Sequence, residues 1–239
     1  MNNKNIGGPL VLGILICLGL TLLGYFISDG IITIRALDRT VFVKGLSERE
    51  VPANVAIWPI KYNEVKNDLG ELYSTIQKKN SLIISFLKQS GFKDEEISVS
   101  LPSIVDRQAQ EYRDATKEQF RYAGSSIIAV YTPDVTLVRK TMNDLAELGK
   151  SGIAISGQDY ETKTEFLFTN LNEIKPIMIE EATRNAREVA EKFAKDSGSK
   201  LGKIKKASQG QFSIDDRDSN TPHIKKVRVV STIEYYLSD

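Results

Sequence analysis

The sequence predicts an α+β fold in which antiparallel sheets carry helices packed on one face, preceded by a single N-terminal transmembrane helix. Three observations lead to this fold class. Ile6–Ile27 contain no charged side chain. Two segments, 67–91 and 172–198, carry apolar residues at helical spacing. The rest of the chain contains short apolar runs of strand length, in the overall order ββαββαβαββ.

The apolar N-terminal run has the length of a membrane helix, since about 20 apolar residues cross the hydrocarbon core. No A-x-A cleavage pattern follows Ile27, and Ile16 precedes Cys17 where a lipoprotein has a small residue. We therefore expect an uncleaved anchor over residues 9–28, between a cytoplasmic tail (1–8) and a connector (29–40). The alternatives are a cleaved signal peptide and a buried helix of a soluble protein.

A short tail before a first apolar helix is the usual layout of a signal anchor. The positive charges do not decide the orientation, because they lie on both sides of the run: Lys4 before it, and Arg35 and Arg39 after it. From the layout we expect a single-pass protein of the inner (cytoplasmic) membrane. Its C-terminal domain, residues 41–239, is then periplasmic or otherwise extracytoplasmic.

Charge and cysteine content exclude several classes of function. Lys4 is the only charged residue before Asp29, so the remainder has 31 basic residues (32 − 1) against 31 acidic ones. This balance gives no reason to expect a nucleic-acid partner. The single cysteine, Cys17, lies in the apolar run, so the rest of the chain has no disulfide, cysteine nucleophile or thiolate metal site.

The first half of the domain begins with β-rich runs around Val41–Val43 and Val51–Ile57, with Gly45 and Pro52 as breaks. Pro52 and Pro59 indicate a bulged or edge strand. A helix is predicted from Asn67 to its stop at Gly91. Two strands, 97–105 and 122–131, then flank the polar segment Arg107–Arg121, which we interpret as a projecting hairpin tip.

The second half is predicted to contain two helices and three strands. Pro133 and Asp134 begin a helix whose apolar face runs from Val135 to Leu148, and a bulged strand follows over 153–168. Asn172 is the expected N-cap of a long helix whose small central residues allow close approach to a sheet. Its apolar face is Ile174, Met178, Ala182, Ala186, Val189 and Phe193, and strands 203–212 and 226–236 complete the chain.

No residue pattern indicates a catalytic site. His223 is the only histidine and is expected in an exposed loop. Asp215, Asp216 and Asp218 lack the spacing of a calcium loop, and Glu48–Glu50 are interpreted as a solvated charged turn. We therefore predict that the protein is not an enzyme, with no catalytic residue, no cofactor and no metal site.

Two further groups of residues are interpreted as surface features. A basic set on the last two strands is interpreted as a charged strand edge that resists aggregation: Lys203, Lys205, Lys206, Lys225, Lys226 and Arg228. Trp58, Tyr62, Tyr122 and Tyr131 are expected to be core or interface aromatics, and of the adjacent pair Tyr235 and Tyr236 one must face away from the core.

One stretch carries a recognisable block. Residues 35–60 read RALDRTVFVKGLSEREVPANVAIWPI, which contains D-R-x-V-x-V-K-G-L-x-E-R-E-V followed by Ala56 and Trp58. This block resembles the opening of membrane-anchored members of the SIMPL-domain family. The alanine-bearing helix 182–194 and the exit through Gly198, Leu201 and Gly202 are similar to the family's late helix, so the resemblance covers about residues 35–238.

The resemblance implies the SIMPL-domain fold and an envelope location, periplasmic in Gram-negative bacteria. Some family members look like oxidative-stress defence proteins, and an immunogenic branch forms ring- or channel-like oligomers. We therefore expect a membrane-anchored protein that self-assembles, with a role in envelope or oxidative stress defence. The segment Arg107–Arg121 and the outward aromatic strand faces are the expected subunit contacts. The alternatives are a module that binds a small molecule or a client protein and, less favoured, a carboxylate-based hydrolase.

Overall fold

The computed structural model describes residues 7–37, 39–109, 119–156 and 162–238. They form five α-helices, nine strands and two short 3-10 helices. The helices are α1 (Gly7–Leu37), α2 (Leu69–Ser90), α3 (Val135–Asn143), α4 (Ala146–Lys150) and α5 (Leu171–Asp196). The strands are β1 (Thr40–Pro52), β2 (Val55–Lys66), β3 (Ile97–Val99), β4 (Ser103–Asp106), β5 (Tyr122–Thr132), β6 (Glu165–Leu167), β7 (Lys200–Gln209), β8 (Ser213–Asp216) and β9 (Ile224–Ser238).

Helix α1 is long and apolar enough over Val11–Ile31 to cross a membrane, and none of the residues of this stretch is buried. A signal sequence near an N-terminus has the same length and composition. The helix continues to Leu37, so most of the segment interpreted as a connector is helical. Within α1 the hydroxyl of Thr21 donates to the carbonyl of Cys17 (2.7 Å), as polar side chains do in apolar surroundings.

The chain forms two units. The first contains 1–48, 175–212 and 228–239, and the second contains 49–174 and 213–227. The strands form two sheets, which confirms the predicted α+β class. One has the order β1-β9-β7, with β8 also paired to β9, and the other has the order β3-β5-β2-β6, with β4 also paired to β5.

In the first unit, α5 packs on the sheet through a row of small residues. Met178, Ala182, Ala186, Ala190 and Ala194 are buried at a spacing of four, which places them on one helix face. Ala186 and Ala190 of this face pack with Val43 of β1 and with Ile233 and Tyr235 of β9. Strand β9 alternates as predicted, with 227, 229, 231, 233 and 235 buried.

In the second unit, α2 and α3 cover one face of the five-stranded sheet. The core is formed by alternate residues of β2 and β5 together with residues of the helices: Ala56, Trp58, Ile60, Tyr62, Ile83, Leu87, Ile128, Val130 and Val138. The long pairing of β2 with β5, from Ala56 opposite Thr132 to Lys66 opposite Tyr122, sets this alternation. The predicted α2 is confirmed, with Asp68 capping its start and Gly91 (φ 112°) its end.

Several predicted boundaries differ from the structure. Gly45 lies inside β1, and Asn172 lies inside α5, which begins at Leu171. Strand 97–105 is broken into β3 and β4 around Pro102, and the helix predicted to reach Leu148 is divided into α3 and α4. Val189 and Phe193 are exposed, because the buried stripe of α5 follows its alanines rather than its larger apolar residues.

The interpretation of β2 as an edge strand is wrong. It lies between β5 and β6. Proline is tolerated there because β6 pairs only with Val55–Ile57, which leaves the N-side of Pro59 without a ladder partner. Pairing on that side resumes only at Tyr62, which forms an isolated bridge with Ile155. The predicted strand 153–168 is otherwise reduced to β6, and its residues 157–161 lie outside the described residues.

Candidate interaction surface

The face of the five-stranded sheet opposite its helices carries an apolar cluster where β2 pairs with β5, and polar residues such as Lys61, Ser98 and Glu165 lie beside it. The register places Ile57 opposite Tyr131 and Pro59 opposite Ala129 on this outward face. Ile127 belongs to the same face and is half-buried. Tyr131, the last residue but one of β5, is 58% exposed. An exposed apolar cluster that includes an aromatic residue and has polar neighbours is typical of a contact surface for another protein.

The predicted aromatic residues separate into two groups. Trp58 and Tyr62 are buried in the core, with 2% and 0% of their surface exposed. Tyr131 is outward-facing, and Tyr122 is half-buried with the guanidinium of Arg121 4.9 Å from its ring centre. The alternation along β9 buries Tyr235 and leaves Tyr236 38% exposed, as the sequence indicates.

A second set of exposed apolar residues lies on the four-stranded sheet, on the side away from α5. Phe42 is 64% exposed, since its neighbour Val43 takes the buried side of β1. The ammonium of Lys205 lies 5.6 Å from the centre of the Tyr236 ring, and it also forms an ion pair with Glu234 at 3.4 Å. This side therefore mixes aromatic and charged groups.

The basic set does not form one uniform cationic patch. Lys205 is engaged by Glu234, and Lys225 is buried on β9 and forms an ion pair with Asp216 of β8. Strand β7 forms an edge of its sheet and carries Lys203 and Lys206 as exposed residues. These positions are those where lysine discourages edge-to-edge pairing.

The charged stretch Glu48–Glu50 is part of β1, so the interpretation as a turn is wrong. The strand continues through Gly45 to Pro52 without a chain reversal. The glycine instead allows the strand to lie against the backbone of α5. The carboxylate of Glu50 lies 3.4 Å from the guanidinium of Arg217. Glu50 therefore has a structural ion-pair partner.

The acidic loop residues are also engaged in local structure. Asp216 pairs with Lys225. Asp218 accepts the backbone N–H groups of Asn220 and Thr221, both at 2.8 Å, and pairs with Arg217 at 3.0 Å. Hydrogen bonds from the Thr221 hydroxyl, then from the Arg217 guanidinium and the two backbone N–H groups, lower the pKa of Asp218 to about 2. Among the described residues, no group of three or more His, Cys, Asp or Glu side chains is arranged to hold a metal ion.

His223 does not lie in open solvent, contrary to the prediction. It is half-buried, its ring packs edge-on against Phe166 with centroids 6.1 Å apart, and its carbonyl accepts the N–H of Ala53 at 2.8 Å. Burial, and then the nearby cations Arg139 and Arg217, lower the pKa of the imidazole below its ordinary value. This environment could not be predicted from the sequence, because the partners of His223 come from distant segments.

The polar segment Arg107–Arg121 is described only at its two ends, since residues 110–118 lie outside the described residues. There the N–H of Arg107 donates to the carbonyl of Arg121 at 2.9 Å, and Asp106 pairs with the Arg121 guanidinium at 2.9 Å. Hydrogen bonds from Arg121 hold the pKa of Asp106 below its usual value. The two ends of the segment are thus held together by a hydrogen bond and an ion pair where they join the sheet.

The residues of the recognised block have a structural role that the sequence did not reveal. A Cβ placed on Gly45 would lie 1.8 Å from the carbonyl oxygen of Ala182. Next to it, Asn185 donates to the carbonyl of Leu46 at 2.8 Å, and Ser47 donates to the carboxylate of Glu181 at 2.9 Å. The sequence signal for this contact is a glycine in an alternating strand together with alanines spaced by four in a late helix.

The fold and these surfaces define an α+β protein of two units, and the part of the chain that the structure describes contains one helix able to span a membrane. The model of the SIMPL family, described as proteins of unknown function (DUF541), matches residues 41–232. The chain therefore belongs to the SIMPL family. No curated protein matches the chain.

Proposed function

We propose that the chain is a non-enzymatic, membrane-anchored envelope protein whose extracytoplasmic SIMPL domain associates with further copies of itself. The observation that carries the proposal is the exposed apolar cluster on the outward face of the five-stranded sheet, where Tyr131, opposite Ile57, is 58% exposed. Burial of such a face against a second copy removes apolar area from water at about 25 cal/mol per Å².

A second copy is the favoured occupant of this face for two reasons. A membrane anchor over Val11–Ile31 confines all copies to one plane in the same orientation, which raises their effective concentration. The part of the chain beyond the apolar run carries 31 basic and 31 acidic residues, so copies do not repel one another through net charge. The resemblance to ring- or channel-forming SIMPL proteins agrees with lateral association, and a role in envelope or oxidative stress defence is part of the proposal.

The test is the mass of the full-length protein in mild detergent, measured by light scattering. We expect an oligomer for the native sequence and a smaller species for Tyr131→Glu, because a carboxylate in the contact face has to be desolvated on association. The matched control is Tyr73→Glu, at an exposed tyrosine of α2, which should leave the mass unchanged. A monomeric native protein, or an equal effect of both variants, would reject this face as the contact.

A deletion tests the other predicted contact, the polar segment. Removal of residues 108–120 keeps Asp106 and Arg121, which pair at the base of the segment. If the segment takes part in assembly, the deletion lowers the mass of the oligomer, whereas an unchanged mass assigns assembly to the sheet face alone. Circular dichroism of each variant checks that the fold is retained.

A further inference from the structure

The second unit contains a cleft that the proposed self-association does not involve. It has a volume of about 490 Å³ and lies between α3 and the loop that carries Asn220, Pro222 and His223. This volume falls in the range of pockets that hold small molecules, roughly 300–1,000 Å³. The size of the cleft therefore fits a small ligand rather than a protein segment.

The lining of the cleft is cationic on one side. Arg139 and Lys140 come from adjacent positions of α3, and His223 faces them from the loop. None of the described residues that line the cleft is acidic. The nearby Asp218 is already engaged by Arg217 and by the backbone N–H groups of its own turn. The cleft thus presents positive charge without a carboxylate to neutralise it, which favours an anionic ligand.

The remaining lining residues are suited to the uncharged part of a ligand. Phe166, Met142 and Pro222 provide apolar surface, and the amides of Asn143 and Asn220 provide neutral donors and acceptors. Phe166 is only 6% exposed, so it contributes a small part of this surface, and the half-buried Met142 and Pro222 contribute the rest. A simple inorganic ion would make no use of this apolar surface.

The loop wall is held in place before any ligand binds. The carbonyl of His223 accepts the N–H of Ala53 at 2.8 Å, and the N–H of Ile224 donates to the carbonyl of Thr221 at 2.9 Å. Arg217, which pairs with Asp218, also reaches Glu50 of β1 at 3.4 Å. A loop that is already held by several hydrogen bonds and ion pairs loses little conformational entropy when a ligand binds, which increases affinity.

We propose that this cleft binds a small organic anion, whose carboxylate or phosphate group lies against Arg139 and Lys140 and whose apolar part packs on Phe166 and Met142. Arginine is suited to either group because its guanidinium donates two parallel hydrogen bonds to a planar or tetrahedral oxyanion. The ligand is bound and not transformed. The proposal does not depend on self-association, since each copy of the chain contains the whole cleft.

His223 makes the test direct, because it is the only histidine of the chain. Its imidazole Hε1 proton therefore gives a single resonance of this kind in nuclear magnetic resonance spectra. The full chain, purified in nonionic detergent without a histidine tag, is titrated with phenyl phosphate, benzoate, inorganic phosphate and neutral benzyl alcohol. We expect a saturable shift of the resonance with one or both aromatic anions, and weaker binding of inorganic phosphate and of the alcohol. The stronger of the two aromatic anions identifies phosphate or carboxylate as the preferred group.

The variant Arg139→Gln should weaken binding by at least about tenfold, because a charge-assisted pair of hydrogen bonds is lost. Arg228→Gln, at an exposed position of β9 that does not line the cleft, is the matched control and should bind as the native protein does. Both positions are exposed, and an unchanged far-UV circular dichroism spectrum without ligand confirms an intact fold. The proposal is overturned if neither aromatic anion gives a saturable shift, if Arg139→Gln binds normally, or if inorganic phosphate or the alcohol binds equally well.

Discussion

Tyr62 shows how one residue links the sheet to its covering helix. Its ring is buried in the core, and its hydroxyl lies 2.9 Å from the carbonyl of Ile76 and 2.8 Å from the side-chain oxygen of Asn80. Ser126 of the neighbouring strand donates to the same oxygen of Asn80 at 3.0 Å. Burial raises the pKa of Tyr62 to about 12. The phenol is therefore held in its neutral form in the folded protein.

This raised pKa predicts a loss of stability in alkaline solution. An unfolded tyrosine ionises near pH 10, so above that pH the unfolded chain binds fewer protons than the folded one. The contribution of Tyr62 is fully present below about pH 10 and is lost as the pH rises towards 12. We expect the urea midpoint to fall more steeply between about pH 10 and 12 for the native protein than for Tyr62→Phe.

The control is Tyr73→Phe, which removes the hydroxyl of an exposed tyrosine and should keep the native pH dependence. Because lysines titrate in the same range, only the difference between the variants reports on Tyr62. Equal slopes for Tyr62→Phe and the native protein would show that the phenol does not influence stability through ionisation.

At the scale of residues, the sequence predicted the aromatic core and missed the environments of polar groups. Trp58 and Tyr62 were expected to be buried or at an interface because of their size and strand context. The burial of His223 was not foreseen, since its partners Phe166 and Ala53 are more than fifty residues away in the chain. Such contacts depend on which segments the fold brings together.

At the scale of elements, the contact of β1 with α5 depends on small residues. Gly45 lies against the backbone of the helix at Ala182 and Ala186, and Asn185 and Ser47 add hydrogen bonds beside it. A methyl group at position 45 would overlap main-chain atoms, which cannot move away as a flexible side chain can. The family block around residue 45 therefore encodes a packing contact.

We predict that Gly45→Ala lowers the free energy of unfolding by about 2–3 kcal/mol, since the helix must move away from the strand. Thermal or urea unfolding followed by circular dichroism measures the loss, and faster amide exchange in α5 locates it. In the control Gly149→Ala the added methyl meets nothing within 4 Å and lies in a helix, where alanine is favoured by up to about 1 kcal/mol. A Gly45→Ala protein as stable as the native one would contradict the close packing.

Helix α2 was predicted almost to its ends because its signals are local. Asp68 accepts the N–H of Glu71 at 2.8 Å, and Gly91 adopts the left-handed conformation that ends the helix. The start of α5 was less accurately predicted, since Asn172 is preceded by a helical Leu171. The division between α3 and α4 also carried no sequence signal that we recognised.

At the scale of the whole molecule, the proposed topology can be tested with the single native cysteine. After Cys17→Ser, a new cysteine at the exposed Ser151 should react with an impermeant maleimide on intact cells or spheroplasts that express the protein. Asn3→Cys should react only after the membrane is permeabilised, because we place residues 1–8 in the cytoplasm. The opposite pattern would invert the topology, and a mature protein that lacks residues 1–28 by mass spectrometry would replace the anchor by a cleaved signal.

The arrangement of strands belongs to this largest scale, and the sequence predicted only its class. An α+β domain with antiparallel pairing was expected from the order of elements. The presence of two sheets, and the position of β2 inside one of them, were decided by pairings such as β2 with β5 and β9 with β7. Alternation shows which side of a strand is buried but does not identify its neighbours.

The sequence by itself determined the properties that arise within a few residues of one another: the apolar helix, the helix α2 with its caps, the inward and outward sides of β9, and the family block. The tertiary structure alone decided which segments meet, and thereby the outward face around Tyr131, the contact at Gly45 and the cleft between Arg139 and His223. The physical reason is that periodicity and capping are local free-energy preferences. A surface or a cleft, in contrast, exists only after long-range packing has brought distant side chains together.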